Sequence, residues 1–285
     1  MTAAVGLGSR RPIALALAAL LVTSCATRHG TDARDTEPSI VVDGVSRTYR
    51  IHVPSPWDGK RPVPLLFVFH GAGSNADDIE RGSGFDALVD ATPMLVIYPE
   101  GTDQHFDVDP PAGRVSTDVR FVDALLAQLR SRFPVDERRV FASGFSNGAA
   151  FCYRLAAERP DVIAAIAPVA GYLPSLAPAA AIRPIPLMHV HGTADRRVMV
   201  PPLVGGEGSP ISAWARRNGA SHGPVTSTLP ATGELVVRRA AYAGSTPRAD
   251  AVLLLVEGAD HEWPGGPGGP ITRAILDFFR VHPRD

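Results

Sequence analysis

The strictest constraint in this chain is a five-residue junction. Gly144-Phe145-Ser146-Asn147-Gly148 lies between a short apolar run at 140–142 and a helical pattern over 147–158. Glycine two positions either side of a serine, with strand before and helix after, marks a turn so tight that side chains at either glycine would strike each other or a neighbouring strand. Such a turn strains the serine backbone and lifts its hydroxyl to the carboxyl end of a sheet. The helix that starts there offers free backbone N–H groups and a positive dipole end. Asn147, Gly148, Ala149 and Ala150 are small, which lets helix and strand approach closely.

The rest of the chain supplies the sheet. Apolar runs at 65–69, 94–98, 140–142, 163–169, 187–190 and 252–256 have the length and character of buried strands. Helical patterns lie between them, at 77–90, 117–132, 147–158, 209–218 and 271–280. In the second, Val119, Val122, Leu125, Leu126 and Leu129 recur at helical spacing, with arginines toward the end. Alternating strand and helix predicts a mostly parallel central sheet with helices on both faces. Two short strands around Asp43-Gly44, at 39–42 and 47–53, predict an antiparallel N-terminal edge. No repeat or composition break interrupts residues 39–285, so one domain is expected there.

A serine hydroxyl is a weak nucleophile at neutral pH. It needs a base, and the base needs an orienting carboxylate. On a sheet of this kind the chain order is serine, acid, histidine, with the latter two on loops after later strands. Two segments fit. The run at 187–190 leads into His191-Gly192-Thr193-Ala194-Asp195, and the last run leads into Asp260-His261-Glu262-Trp263-Pro264-Gly265-Gly266. Ser146, Asp195 and His261 are therefore the candidate catalytic residues. Asp260 and Asp103 are rival acids; Ser143 and Ser74 are rival serines without a junction. The run at 65–69 ends in His70-Gly71-Ala72-Gly73, a loop whose glycines let main chain approach a substrate oxygen. The backbone N–H groups of Ala72 and Asn147 are assigned to an oxyanion hole, with Gly73 as the alternative to Ala72. His189 and His191 share a strand face, but no third residue at clear spacing completes a metal site, so no metal and no cofactor are expected.

Net charge is −1 at pH 7, which argues against a nucleic-acid partner, since phosphate binding needs a basic face. The two cysteines, Cys25 and Cys152, form no disulfide scaffold. Cys25 follows a leader: Arg10-Arg11, then an apolar run over 13–22 that is too short to span a bilayer, where about 20 residues are needed. Small residues just before a cysteine resemble a bacterial lipobox, in which the thiol is acylated and the peptide cut before it. Residues 1–24 are thus expected to be a lipoprotein signal peptide, 25–38 a polar tether and 39–285 the catalytic domain. Ser9-Arg10-Arg11 also resembles a twin-arginine export signal, so the export route stays open. The expected location is the outer face of the cell membrane, and the sequence leaves oligomeric state open.

Several motifs recur in a known order: His70-Gly71-Ala72-Gly73, Tyr98-Pro99-Glu100-Gly101, Asp118-Val119-Arg120-Phe121, the serine junction, Pro168-Val169-Ala170-Gly171, His191 to Asp195 and Asp260 to Gly266. The chain resembles the polyhydroxybutyrate depolymerase/feruloyl esterase group of α/β-hydrolases (carbohydrate esterase family one-like), and within it actinobacterial esterase lipoproteins. The resemblance implies an α/β-hydrolase fold and a serine carboxylesterase with Ser146 as nucleophile, Asp195 as acid and His261 as base, acting on short-chain or aromatic acyl esters. A polyhydroxyalkanoate oligomer depolymerase or an acyltransferase would use the same triad; a non-catalytic surface lipoprotein would keep only the fold. The chain departs from the group at Ala149-Ala150, where Gly or Met is common, and at Gln104-His105-Phe106-Asp107, where a Trp-Asn pair is common. Phe106, Trp214 and Trp263 are candidate substrate-binding aromatics, and residues 196–250 the candidate pocket wall.

The leader carries its own test. Cys25→Ala is expected to release the protein from the membrane fraction, with globomycin blocking processing of the wild type only; retention of the variant would contradict acylation at Cys25.

Overall fold

Period-two alternation along the central strands builds two cores, one on each face of the sheet. In β3 (Val63–Phe69), Leu65, Phe67 and Phe69 face one side while Leu66 and Val68 face the other. In β4 (Leu95–Pro99), Leu95 and Ile97 oppose Val96 and Tyr98 in the same way. The computed structural model describes residues 1, 38–175, 183–199, 209–229, 235–243 and 249–284. The expected leader, Cys25 and the tether, apart from Met1 and Pro38, lie outside the described residues. Residues Glu37–Asp285 pack as one compact unit. No helix among the described residues is long and apolar enough to cross a membrane.

Among the described residues, ten strands form one sheet. To the two above are added β1 (Ser39–Val42), β2 (Val45–His52), β5 (Val135–Phe145), β6 (Ala165–Val169), β7 (Leu187–Gly192), β8 (Val225–Thr228), β9 (Val237–Tyr242) and β10 (Ala251–Val256). The spatial order is β1-β2-β4-β3-β5-β6-β7-β10-β9-β8. From β4 to β10 all neighbours are parallel; β1 and β2 are antiparallel at one edge, as the hairpin implied. The opposite edge is antiparallel too, through β9 and β8. These two strands carry no apolar run: β8 is exposed along its whole length, so the sequence shows no signal for it. β9 is held by its register to β10, and β8 by its register to β9.

One face is covered by α3 (Thr117–Arg132), α4 (Asn147–Glu158) and α5 (Pro210–Arg217), the other by α1 (Ala76–Ser83), α2 (Asp86–Val89) and α6 (Pro270–Val281). This is the α/β-hydrolase arrangement the resemblance implied. The α3 helix starts where Ser116 accepts the Asp118 N–H and buries the five predicted apolar residues. The single helix expected at 77–90 is two, because Gly84 ends α1 in the left-handed region at φ 62°. No other residue fits there: an added Cβ would lie 2.2 Å from the Gly268 nitrogen. Residues 196–250, expected to wall a pocket, supply α5, β8 and β9 where they are described. They extend the sheet and cover its core.

The parallel register brings five strand ends together, those of β3, β5, β6, β7 and β10. Phe69 pairs with Gly144, Phe145 with Val169, Val169 with Val190 and Gly192 with Val256. At their meeting point a Cβ on Gly148 would sit 2.3 Å from the Phe69 carbonyl oxygen and 2.5 Å from that of His70. Both obstacles are backbone and cannot swing aside. Gly148→Ala is therefore expected to cost about 1–3 kcal/mol of stability, lowering Tm by roughly 2–4 °C per kcal/mol in a unit of this size. A thermal melt equal to wild type would contradict this close approach.

Candidate active site

Strand β5 ends at Phe145 and α4 begins at Asn147, so one residue makes the whole turn. That residue, Ser146, has φ 54° and ψ −112°. Its N–H donates to the Val169 carbonyl at 3.0 Å, and its carbonyl accepts the Ala150 N–H at 3.0 Å. A Cβ on Gly144 would lie 2.7 Å from the Gly148 carbonyl, which explains the first glycine as the Phe69 contact explains the second. The hydroxyl is left at the carboxyl edge of the sheet.

The loops after β7 and β10 are tied to each other before they reach it. The Thr193 N–H donates to Val256 O and the Ala194 N–H to Ala259 O, both at 2.9 Å. Gly192 allows this, since a Cβ there would be 2.2 Å from Ala259 O. The tie brings Asp195 and His261 face to face. His261 Nδ1–H donates to Asp195 Oδ2 at 2.8 Å, and His261 Nε2 accepts the Ser146 hydroxyl at 2.9 Å. The Phe145 ring packs against His261, with centroids 4.8 Å apart. Asp195 is 8% exposed. Burial works against its charge, but the bond from His261 and the N–H groups of Val198 and Arg197, each 2.9 Å from Oδ1, hold the carboxyl below the usual carboxylate range.

The rivals are occupied elsewhere. Asp260 accepts the N–H of His261 itself at 2.8 Å, in a local turn. Asp103 is exposed in the loop after β4. Buried Ser143 donates to Ala167 O at 2.7 Å, and Ser74 to Asp78 at 3.2 Å. The Gly73 N–H donates to Gln104 O at 3.0 Å, whereas those of Ala72 and Asn147 donate no hydrogen bond among the described residues. Gly71 lies close under Ser146, an added Cβ there meeting Phe145 Cδ1 at 3.0 Å and Ser146 Cβ at 3.4 Å. His70 shapes this loop: Nδ1–H donates to Gly71 O at 2.8 Å, and Nε2 accepts the Gly101 N–H at 3.0 Å.

Two of the expected aromatics are core residues. Phe106 is 1% exposed, enclosed by Phe69, Phe151 and His70. Trp214 is also 1% exposed, edge-on to Tyr153 with its Nε1–H on Ile185 O at 2.9 Å. Both side chains belong to the core beneath the sheet face. Trp263 is half-buried against Phe85 and donates to Thr272 Oγ1 at 3.0 Å, anchoring the histidine loop to α6. Their burial follows from tertiary packing, which an isolated aromatic does not announce. The side-chain role of Asn147 also escapes sequence reasoning. Its Oδ1 accepts the Phe106 N–H at 2.8 Å, and its Nδ2 reaches Phe106 O and His105 Nε2, each at 3.1 Å. This clamp ties Phe106 and exposed His105 to Asn147, the residue after Ser146. A separate cavity of about 510 Å³, lined by Pro64, Met94, Arg139 and Arg273 among others, opens near the amino ends of β3, β4 and β5, away from Ser146.

A family profile described as esterase PHB depolymerase matches residues 48–204. The putative esterase NocK of Nocardia uniformis subsp. tsuyamanensis is 34% identical over 263 residues, covering 82% of this chain and 76% of that protein. A probable feruloyl esterase C of Aspergillus niger is 29% identical over 55% of this chain and 58% of its own length. Among solved structures, an acetyl xylan esterase from Aspergillus awamori superposes with a TM-score of 0.63 at 15% identity, covering 82% of this chain and 94% of that one. That last likeness is one of fold.

Proposed function

The chain belongs to the esterase PHB depolymerase family, and from that premise we propose that it is a serine carboxylesterase acting through an acyl-enzyme on Ser146. The observation that carries the reading is the line of contacts from Asp195 Oδ2 through His261 to Ser146 Oγ, at 2.8 and 2.9 Å. His261 Nε2 takes the hydroxyl proton as Oγ attacks the ester carbonyl. Asp195 holds the ring in the tautomer that leaves Nε2 free to accept and stabilises the imidazolium that forms. The carbonyl oxygen, now negative, takes hydrogen bonds from the free N–H groups of Ala72 and Asn147; each donor of this kind contributes about 3–4 kcal/mol at the transition state. His261 returns the proton to the departing alcohol, then activates water to release the acid.

The substrate class follows from what borders the serine. The segment between β6 and β7 is short, which disfavours the large lid of an interfacial lipase. With Phe106 and Trp214 in the core and half-buried Trp263 anchoring the histidine loop, we assign Tyr172 to meet an acyl or alcohol group. It is 40% exposed and follows Gly171, where an added Cβ would lie 3.1 Å from the Ser146 carbonyl oxygen. We assign it, with exposed His105 held by Asn147 at 3.1 Å, to meeting short acyl or aromatic esters. Residues 39–285 act as the catalytic domain, exported and held at the membrane by a lipid on Cys25.

The test is a panel of p-nitrophenyl esters of rising acyl length, methyl ferulate, acetylated sugar and hydroxybutyrate oligomers, offered to the protein and to Ser146→Ala. Activity on the short or aromatic esters is expected, and Ser146→Ala should fall by about 10⁴-fold or more. Equal activity in both proteins would overturn the nucleophile, and no turnover of any ester would favour a binding protein that keeps only the fold.

A further inference from the structure

Behind Asp195, on the side away from His261, lies a line of buried side chains that the triad does not use. Tyr153 on α4 and His189 and His191 on β7 are all within 1% of full burial. The Tyr153 hydroxyl is 2.7 Å from His189 Nδ1, and His189 Nε2 is 3.0 Å from His191 Nδ1. His191 Nε2 is 2.9 Å from the Val198 carbonyl and 3.1 Å from Asp195 Oδ2. The two imidazoles lie nearly coplanar, 6° apart. With their facing nitrogens bonded to each other, the pair leaves no room for a shared metal ion.

The positions of the protons follow from the far end. A carbonyl oxygen and a carboxylate only accept, so His191 Nε2 must carry a hydrogen. Burial lowers the proton affinity of His189 strongly and of His191 also, so each ring is neutral and holds one proton. His191 Nδ1 is then an acceptor and His189 Nε2 its donor. His189 Nδ1 is in turn an acceptor, and Tyr153 donates to it. Every donor in the line points toward Asp195. The other titratable groups facing it are few. Cys152 adjoins Tyr153, its thiol pushed up by burial, and His261 stands across Asp195. The α5 helix contributes the Trp214 ring, with the Arg217 guanidinium over it. On β10 the partners of His189 and His191 are Leu253 and Leu255.

We infer that Tyr153, His189 and His191 form a one-way hydrogen-bond relay that positions the carboxylate of Asp195 and spreads its charge. The inference rests on the triad reading above and adds three positioning residues to it. Asp195 then meets four donors: Arg197 and Val198 N–H on Oδ1, His261 Nδ1–H on Oδ2, and His191 Nε2–H, which bonds the Val198 carbonyl at 2.9 Å and shares its hydrogen with Oδ2 at 3.1 Å. Polar side chains buried at this depth stay in place only when fully paired. The fourth donor weakens the pull of Oδ2 on His261, so it tunes the base as well as aiming it. Removing it leaves more negative charge facing His261, which favours the imidazolium. The imidazolium cannot take the serine proton, so activity should appear at higher pH.

Two measurements test this on the whole protein. Nitrogen-15 NMR of histidine-labelled protein should find His189 and His191 as the neutral Nε2–H tautomer, unchanged between about pH 5.5 and 9. The Nδ1–H tautomer or an imidazolium at either residue in that range would overturn the relay. The kcat/KM–pH profile of His191→Phe should show its acid limb moved up by about half a unit or more, with kcat down about tenfold and KM within about twofold. His191→Gln, whose amide N–H reaches the Nε2 position, should restore the limb. A folded His191→Phe with the wild-type limb would overturn the inference; if that variant does not fold, the tautomers decide. The two readings fail separately. Reversed tautomers with Ser146-dependent hydrolysis would sink the relay alone, whereas activity that survives Ser146→Ala would sink the triad.

Discussion

Ser146 holds a backbone conformation, φ 54° and ψ −112°, that a residue with a side chain adopts at a cost of about 1–3 kcal/mol. What sustains it is the contact of two glycines with bare backbone, Gly148 against the Phe69 and His70 carbonyls and Gly144 against Gly148. These approaches press α4 onto β3 and β5, and the chain can then reverse within one residue. The Ser146 N–H is fixed to β6 at the same time. Each feature of the site depends on this turn. It sets the height of the hydroxyl, frees the Asn147 N–H, and points the Asn147 side chain at the loop that carries His105 and Phe106.

Around that point the parallel sheet acts as an aligning frame. Asp195 and His261 sit on loops of different strands, yet the β7–β10 register and the bonds of Thr193 and Ala194 to the histidine loop make them one unit. Gly192 and Gly84 serve the same purpose on its two sides, one letting the acid loop touch Ala259, the other letting α1 touch Gly268. The site is thereby built on strand ends and backbone bonds and owes little to flexible side chains. Such support is what holds catalytic groups to within a fraction of an ångström.

Much of this was legible in the sequence because it rests on backbone demands that few residue types meet. The serine junction, the bounds of α3 and α4, the strand ends that carry Asp195 and His261, and the parallel centre all leave local signatures of glycine, period and cap. What the sequence leaves open concerns burial. Phe106 and Trp214 fit a pocket wall and the core equally well there, because nothing in their neighbours says which face of the chain turns inward. Strand β8 was silent because an exposed edge strand needs a partner and no apolar pattern. His189 and His191 were visible as a pair on one face, but their meaning depends on Tyr153, a residue from another element that only the fold brings within 2.7 Å.

The claim on which the rest turns is that Ser146, and no other serine, is activated for attack by His261. A fluorophosphonate reports this directly, since an activated serine oxygen displaces fluoride and keeps the phosphonyl group as a stable adduct. Mass spectrometry of the treated protein should find one adduct, on the peptide that contains Ser146, and none in His261→Ala. An adduct on Ser143 or Ser74, no adduct at all, or full labelling of His261→Ala would contradict it.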